Sequence, residues 1–145
     1  MIILLSRVLY FSLIDKDKNP RDGFLSAADI STLPMSPKLV VLSACETGIG
    51  EAVSGEGLLS LARVFLGQGA ENVISSLWRV DDQATAELMR HFYYALIERQ
   101  DPIAHALRYA QQHMASQIQW KSPYYWAGSI ISSANPSTNK INIRS

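Results

Sequence analysis

A chain of 145 residues with 48% hydrophobic side chains is long enough to bury one core, and no shift in composition divides it in two. Thirteen basic and thirteen acidic residues cancel, and no lysine occurs between Lys38 and Lys121, so no electrostatic footprint for nucleic acid or an anionic membrane is visible. The single cysteine, Cys45, cannot close an intramolecular disulfide, which fits a reducing cytoplasm and excludes zinc sites built on cysteine pairs.

The opening "MIILLSRVLYFSLI" is apolar, but Arg7 and two serines interrupt it. It lacks a basic start and a small-residue cleavage site and is too short to span a bilayer, so it reads as soluble structure. Residues 2–14 predict a strand running into the turn signals of "DKDKNPRDG". Ser26 is placed to cap a short helix, with Asp29 a weak stand-in for the capping-box acid and Pro34 and Pro37 closing it. "KLVVLSAC" has the continuous apolar pattern of a strand covered on both faces.

After a loop from Glu46 to Glu56, Leu58, Leu61 or Ala62, and Phe65 share one helical face, which stops at Gly67 and Gly69. "NVISSLWRV" predicts a second buried strand, and Asp81 or Asp82 can cap the next helix, whose stripe is Leu88, Phe92 and Leu96. Asp101 and Pro102 look like the N-cap and first-turn residues of a further helix with Ile103, Leu107, Ala110 and Met114 on one side. "YYWAGSIIS" predicts a last strand, residues 134–145 form a polar tail expected to be disordered, and no internal repeat is present.

Strand, helix, strand, helix in this order is the pattern of an α/β domain with a mainly parallel sheet. Functional crevices of such sheets lie outside the carboxyl ends of the strands, which is where "LVVLSA" would deliver Cys45. Residue type alone favours a small buried hydrophobe for a lone cysteine. Its position favours display, because it follows the apolar run and adjoins Glu46 and a loop bearing Gly48, Gly50, Gly55 and Gly57.

Competing motifs fail. "GIGEAV" has Val53 where a dinucleotide fingerprint needs its third glycine, no phosphate-cradling Gly-Lys pair exists, and Ser54 lacks the glycines of a nucleophile elbow. No cofactor and no metal is expected. A neutral thiol needs a base or an electropositive site to become a nucleophile. The three histidines, His91, His105 and His113, all follow Cys45 and fall within predicted helices. His105 should face water and His113 lies on a flank, so none is an obvious partner.

"LVVLSACETGIG", "GEGLLSLARVFLGQGAENVISSLWRVDDQATAELMRHFYYAL", "AHALRYAQQHM" and "SPYYWAGSIIS" closely resemble the CHAT domain family, caspase-like peptidase domains related to separase and often found beside TPR repeats. The similarity is continuous from about Leu25 to Ser132, and "SRVLYFSLI" with "GFLSAADIS" looks like the strand, turn and short helix before the family's cysteine strand. The resemblance implies that residues 1–133 are a partial CHAT domain. Its implied fold is a caspase-like three-layer sandwich with a mainly parallel sheet, the first strands missing from this chain.

The resemblance further implies that Cys45 is the nucleophile of a His–Cys dyad that cleaves protein substrates, its own backbone N–H helping to hold the oxyanion. Glu46 and Gly48, with Trp78 and Asp82 of the "WRVDD" turn, would border the substrate cleft. Plainer roles compete: a helix cap for Asp82, packing of a helix on the sheet for Trp78, and a surface acid for Glu46. The family's histidine belongs to a His-Gly pair ahead of the segment resembling residues 6–30, and no histidine precedes Cys45 here. General-base help is worth roughly 10² to 10⁴ in rate, so this chain alone should hardly cut. Two functions follow from the resemblance: an endopeptidase part completed by an upstream or TPR-containing polypeptide, or an inactive CHAT remnant used as a protein-interaction module.

Overall fold

The computed structural model describes residues 2–5, 8–11, 36–42 and 55–135, with the backbone alone for 2–5, 8–11 and 55–57. Its sheet has five strands in chain order: β1 (Ile2–Leu5), β2 (Val8–Phe11), β3 (Leu39–Leu42), β4 (Asn72–Ser76) and β5 (Ser129–Ser133). β2, β3 and β4 run parallel, with Val8 opposite Leu39 and Val40 opposite Val73. β1 and β5 run antiparallel to their neighbours, so the sheet is mixed rather than mainly parallel.

The first apolar run, expected as one strand, is two. Leu5 pairs with Val8 and Ile2 with Phe11, so β1 and β2 are antiparallel neighbours although the intervening sequence, Ser6 and Arg7, carries no glycine, proline or Asx turn signal. The helix expected from Ser26 lies outside the described residues.

Alternation along β3 and β4 sorts the core into two layers. Val40, Leu42 and Val73 pack with Leu58, Ala62 and Phe65 of helix α1 (Gly55–Gly67). Leu39, Val41 and Ile74 pack on the opposite face with Leu88 and Phe92 of α2 (Asp82–Tyr93) and Ile103, Leu107, Ala110 and Met114 of α3 (Ile103–Ser116). All four residues of β3 are buried because helices cover both of its faces.

The helix ends follow local chemistry. α1 closes in a Schellman arrangement, Ala70 N donating to Phe65 O at 3.0 Å and Gly69 N to Leu66 O at 3.2 Å, and Gly69 takes the left-handed φ of 103° that this cap requires. Asp81, not Asp82, caps α2: its Oδ1 accepts from Gln83 N at 3.0 Å and Ala84 N at 3.1 Å. α2 widens into a π-turn over Tyr94–Glu98 and stops at Gln100, whose φ is 56°. The N-cap of α3 is Pro102, one residue later than expected, and the Asp101 carboxylate instead accepts from Arg99 Nε at 2.8 Å.

Asn72 is fully buried and ties three segments: its Nδ2 donates to Lys38 O at 3.1 Å, and its Oδ1 accepts from Ser133 Oγ at 2.6 Å. β5 begins four residues after the tyrosine pair that opens the expected strand, because Pro123–Tyr125 forms a 3₁₀ turn. Ala134 N still donates to Glu71 O at 3.0 Å, which keeps the start of the polar tail on the sheet. Residues 136–145 of that tail lie outside the described residues.

Candidate functional site

The parallel strands β3 and β4 end on the same side, and a half-open recess lies there. Val41 and Ile74 contribute from the sheet, Val80, Leu88 and Met89 from the entry and first turns of α2, and Tyr125 from the segment before β5. Ser75, Ser76, Thr85 and Ser129 add hydroxyl-bearing residues. Ser76 Oγ donates to Trp78 O at 2.6 Å and Thr85 Oγ1 to Asp81 O at 3.0 Å, so both satisfy their donors on nearby backbone. Ser75 is 1% exposed and its Oγ has no hydrogen-bond partner among the described residues. A Ser-Ser pair closing an otherwise apolar strand was the signal for this feature, and sequence reasoning passed over it.

Beside the recess the chain is cross-tied. Trp78 follows β4, its Nε1 donating to Tyr124 O at 2.8 Å, and Tyr124 OH returns a bond to Arg79 O at 2.8 Å. Leu77 N donates to Gly128 O at 2.9 Å. The indole lies directly over Gly128, where a β-carbon would come within 2.7 Å of Trp78 Cε2. Trp78 remains 37% exposed, so it serves first as a clasp between the turn after β4 and the segment before β5, with one surface left to solvent.

Asp82 sits at the first position of α2 and is exposed, next to the capping Asp81. The clasp and the helix start thus bring Trp78 and Asp82 to the carboxyl edge of the sheet. Cys45, Glu46 and Gly48 lie outside the described residues.

Compared with known proteins, the chain matches the CHAT domain over residues 6–134. It belongs to the CHAT domain family. Among curated relatives of the CHAT chain is tetratricopeptide repeat protein 28 of Mus musculus, 36% identical over 108 residues, which are 74% of this chain and 4% of that protein. The Homo sapiens protein of the same name is 34% identical over 107 residues, again 74% of this chain and 4% of the relative. The CHAT chain therefore spans a small fraction of the length of these relatives. No solved structure matches it.

Two of the three histidines of this CHAT domain are engaged between α2 and α3. His91 is buried between α2 and α3, its Nε2 3.1 Å from Glu87 Oε1 and 3.3 Å from Gln117 Nε2. His113 stacks on it with ring centroids 4.9 Å apart, and the His113 Nδ1 lies 3.2 Å from Tyr109 O. His91 lies nine positions after Asp82 on the helix, about 13 Å along the axis. His105 is exposed on α3. The burial of His91 was not foreseen, although Glu87 four residues earlier was the available sign.

This cluster makes the fold sensitive to acid. The Arg90 guanidinium, hydrogen-bonded to Glu87 at 2.7 Å, leads in holding the Glu87 carboxyl down at about 2, with Gln117 and His91 assisting and burial opposing. Burial, then the Arg90 charge, pushes the His91 imidazole below its usual range. Both groups bind protons more readily when unfolded. The unfolded chain gains a proton on His91 first as pH falls through about 6.5, and on Glu87 as pH falls through the usual carboxylate range. Stability should be full above neutrality and decline in two stages on acidification. Urea midpoints at pH 8, 6 and 4 will show this, and Glu87→Gln should flatten the lower stage. A midpoint that does not change between pH 8 and pH 4 would contradict the cluster as described.

Among the described residues no group of three His, Cys, Asp or Glu side chains is arranged to hold a metal, and no helix is long and apolar enough to cross a membrane.

Proposed function

We propose that this chain carries the nucleophile of a CHAT-type cysteine endopeptidase, with Cys45 attacking a substrate carbonyl at the carboxyl edge of β3 and β4. The observation that carries the proposal is the recess at that edge in a chain of a caspase-like peptidase family. Cys45 follows Leu42, the end of β3, by three residues, so covalent reach keeps it within about 11 Å of that strand end.

In the proposed reaction the thiolate sulfur bonds the carbonyl carbon, and fixed N–H donors stabilise the oxyanion. The C–N bond then breaks as the amine leaves with a proton, and water releases the acyl group from sulfur. A base must take the thiol proton and pass it to the amine. His91 and His113 are packed against each other between α2 and α3, and His105 lies on the exposed side of α3. The base is therefore proposed to come from polypeptide beyond these 145 residues. Glu46, Gly48, Trp78 and Asp82 are proposed to border the bound peptide, which is a segment of a protein substrate. TPR repeats, present by name in the relatives, are the proposed partner. The proposed compartment is the reducing cytoplasm, where a lone thiol persists.

A single cysteine makes the test direct. Intact-mass measurement after iodoacetamide treatment should show Cys45 labelled in the folded chain at a rate within about tenfold of the unfolded chain, as expected of an accessible thiol. The chain alone should give background peptide cleavage, and addition of a histidine-bearing upstream polypeptide should raise it by roughly 10² to 10⁴, with Cys45→Ala abolishing the gain. A thiol that labels only after unfolding ends the proposal. An accessible thiol that no added polypeptide activates leaves an interaction module.

A further inference from the structure

We infer that His91 works as a proton-operated latch: its bare Nε2 holds the Gln117 side chain, and with it the end of α3, against α2, and a proton on that nitrogen lets the end go. The donors and acceptors around the ring fix the first half of this device. Two acceptors, His91 Nε2 and Glu87 Oε1, stand 3.1 Å apart and share the same two donors. Arg90 Nη2 is 2.7 Å from Glu87 Oε1 and 3.2 Å from His91 Nε2, and Gln117 Nε2 is 3.4 Å and 3.3 Å from the same two atoms. Each donor nitrogen carries a pair of N–H bonds, so each can serve both acceptors when the imidazole is neutral with its proton on Nδ1. A proton on Nε2 would be satisfied by Glu87 alone and would face the N–H groups of Arg90 and Gln117.

Burial and the Arg90 charge, which push the imidazole below its usual range, favour the bare form at neutral pH. Its other titratable neighbours come from α3 and the turn before it. His113 lies against the His91 ring at 4.9 Å, Tyr109 stacks on His113 at 4.1 Å, and Tyr94 and Arg99 flank Tyr109, the Arg99 guanidinium 4.6 Å over the ring and paired with Asp101 at 2.8 Å. Among the described residues Glu87 is the one carboxylate in contact with His91. What a proton releases follows from where the two donors sit. Arg90 keeps its second bond, Nε to Glu87 Oε2 at 3.0 Å, and its exposed chain can draw back along the same helix. Gln117 is left with the long 3.4 Å contact to Glu87. It ends α3 and opens the 3₁₀ turn Ile118–Trp120. Ile118 is 95% exposed and Gln119 is exposed too, so that turn is held at its two ends, by Gln117 and by Trp120, whose ring meets Tyr125 edge to face at 5.1 Å. Letting Gln117 go frees one end of the segment that leads to the carboxyl edge of the sheet.

NMR of the full chain between pH 8 and pH 4 tests both halves. At pH 8 the nitrogen shifts of the His91 ring should show its proton on Nδ1. As pH falls, the Trp120 indole and the Gln117 carboxamide resonances should move with the midpoint of the His91 Cε1 proton, while the methyl group of the buried Met114 stays still. The Gln117 and Trp120 amides should lose about fivefold of their exchange protection, the worth of one hydrogen bond. Gln117→Ala, a change at a half-buried site, should abolish the Trp120 response, as should His91→Gln, and His105→Gln on the exposed side of α3 should leave it intact. An Nε2–H ring at pH 8, a His91 ring that stays neutral down to pH 4, a Trp120 resonance that ignores His91 or follows His113 instead, or a Trp120 response that survives Gln117→Ala overturns the inference. So does a Met114 methyl that moves together with Trp120, because the whole fold and not the latch would then be yielding.

Discussion

Phe92→Ala should cost about 4 kcal/mol of folding stability, enough to remove about a quarter or more of what a domain of this size possesses. Phe92 has no exposed surface and stands where α2 meets the rest of its layer, among Leu88, Leu96, Ile103 and Met114. It also meets Tyr93 edge to face, ring centroids 5.3 Å apart. Truncation removes the ring's transfer free energy and leaves a hole that β3, β4 and α3, all held by other contacts, cannot close. Phe65→Ala should be comparable in kind on the opposite face of the sheet, where among the described residues α1 provides the cover. Phe92→Leu should cost far less, because most of the volume remains. Urea unfolding of the full chain measures each. A Phe92→Ala loss below about 1 kcal/mol, the usual range for surface sites, would mean that the two-layer core is wrong.

The strands and helices that could be read from sequence are those whose neighbours are local or whose period is long. β3 shows four consecutive apolar residues, α1 stops at Gly69 because the cap needs a left-handed residue, and α2 and α3 carry stripes over three turns. Where two residues of the same type compete, pattern cannot decide: Asp81 and Asp82 are equally good caps until the backbone shows whose oxygen faces Gln83 and Ala84. Features built from distant segments were not legible. The β1–β2 reversal lacks turn residues, His91 is buried only because His113 of α3 and Gln117 at its end arrive beside it, and the recess draws on three strands, one helix, the turn after β4 and the segment before β5. Trp78 and Asp82 lie near the carboxyl edge, and the clasp that occupies Trp78 depends on a glycine fifty residues away.

Gly128→Ala should cost about 3 kcal/mol by overpacking, a large effect for one methyl group. The added carbon would stand 2.7 Å from Trp78 Cε2, 2.9 Å from Cδ2 and 3.0 Å from Cζ2, all atoms of one rigid ring. The ring cannot swing aside cheaply, since its Nε1 is tied to Tyr124 O and the Tyr124 hydroxyl is tied to Arg79 O. Relief requires breaking that exchange or lifting Gly128 from Leu77 N, and either one loosens the segment that presents Tyr125 to the recess. The expected signs are a lowered urea midpoint and a displaced Trp78 indole N–H resonance. Trp78→Ala in the Gly128→Ala background removes the clash, so the pair should be strongly non-additive, the double variant being more stable than the sum of the two losses predicts. Losses that simply add would show that Trp78 and Gly128 are not in contact, and the clasp that shapes this edge of the sheet would fall with them.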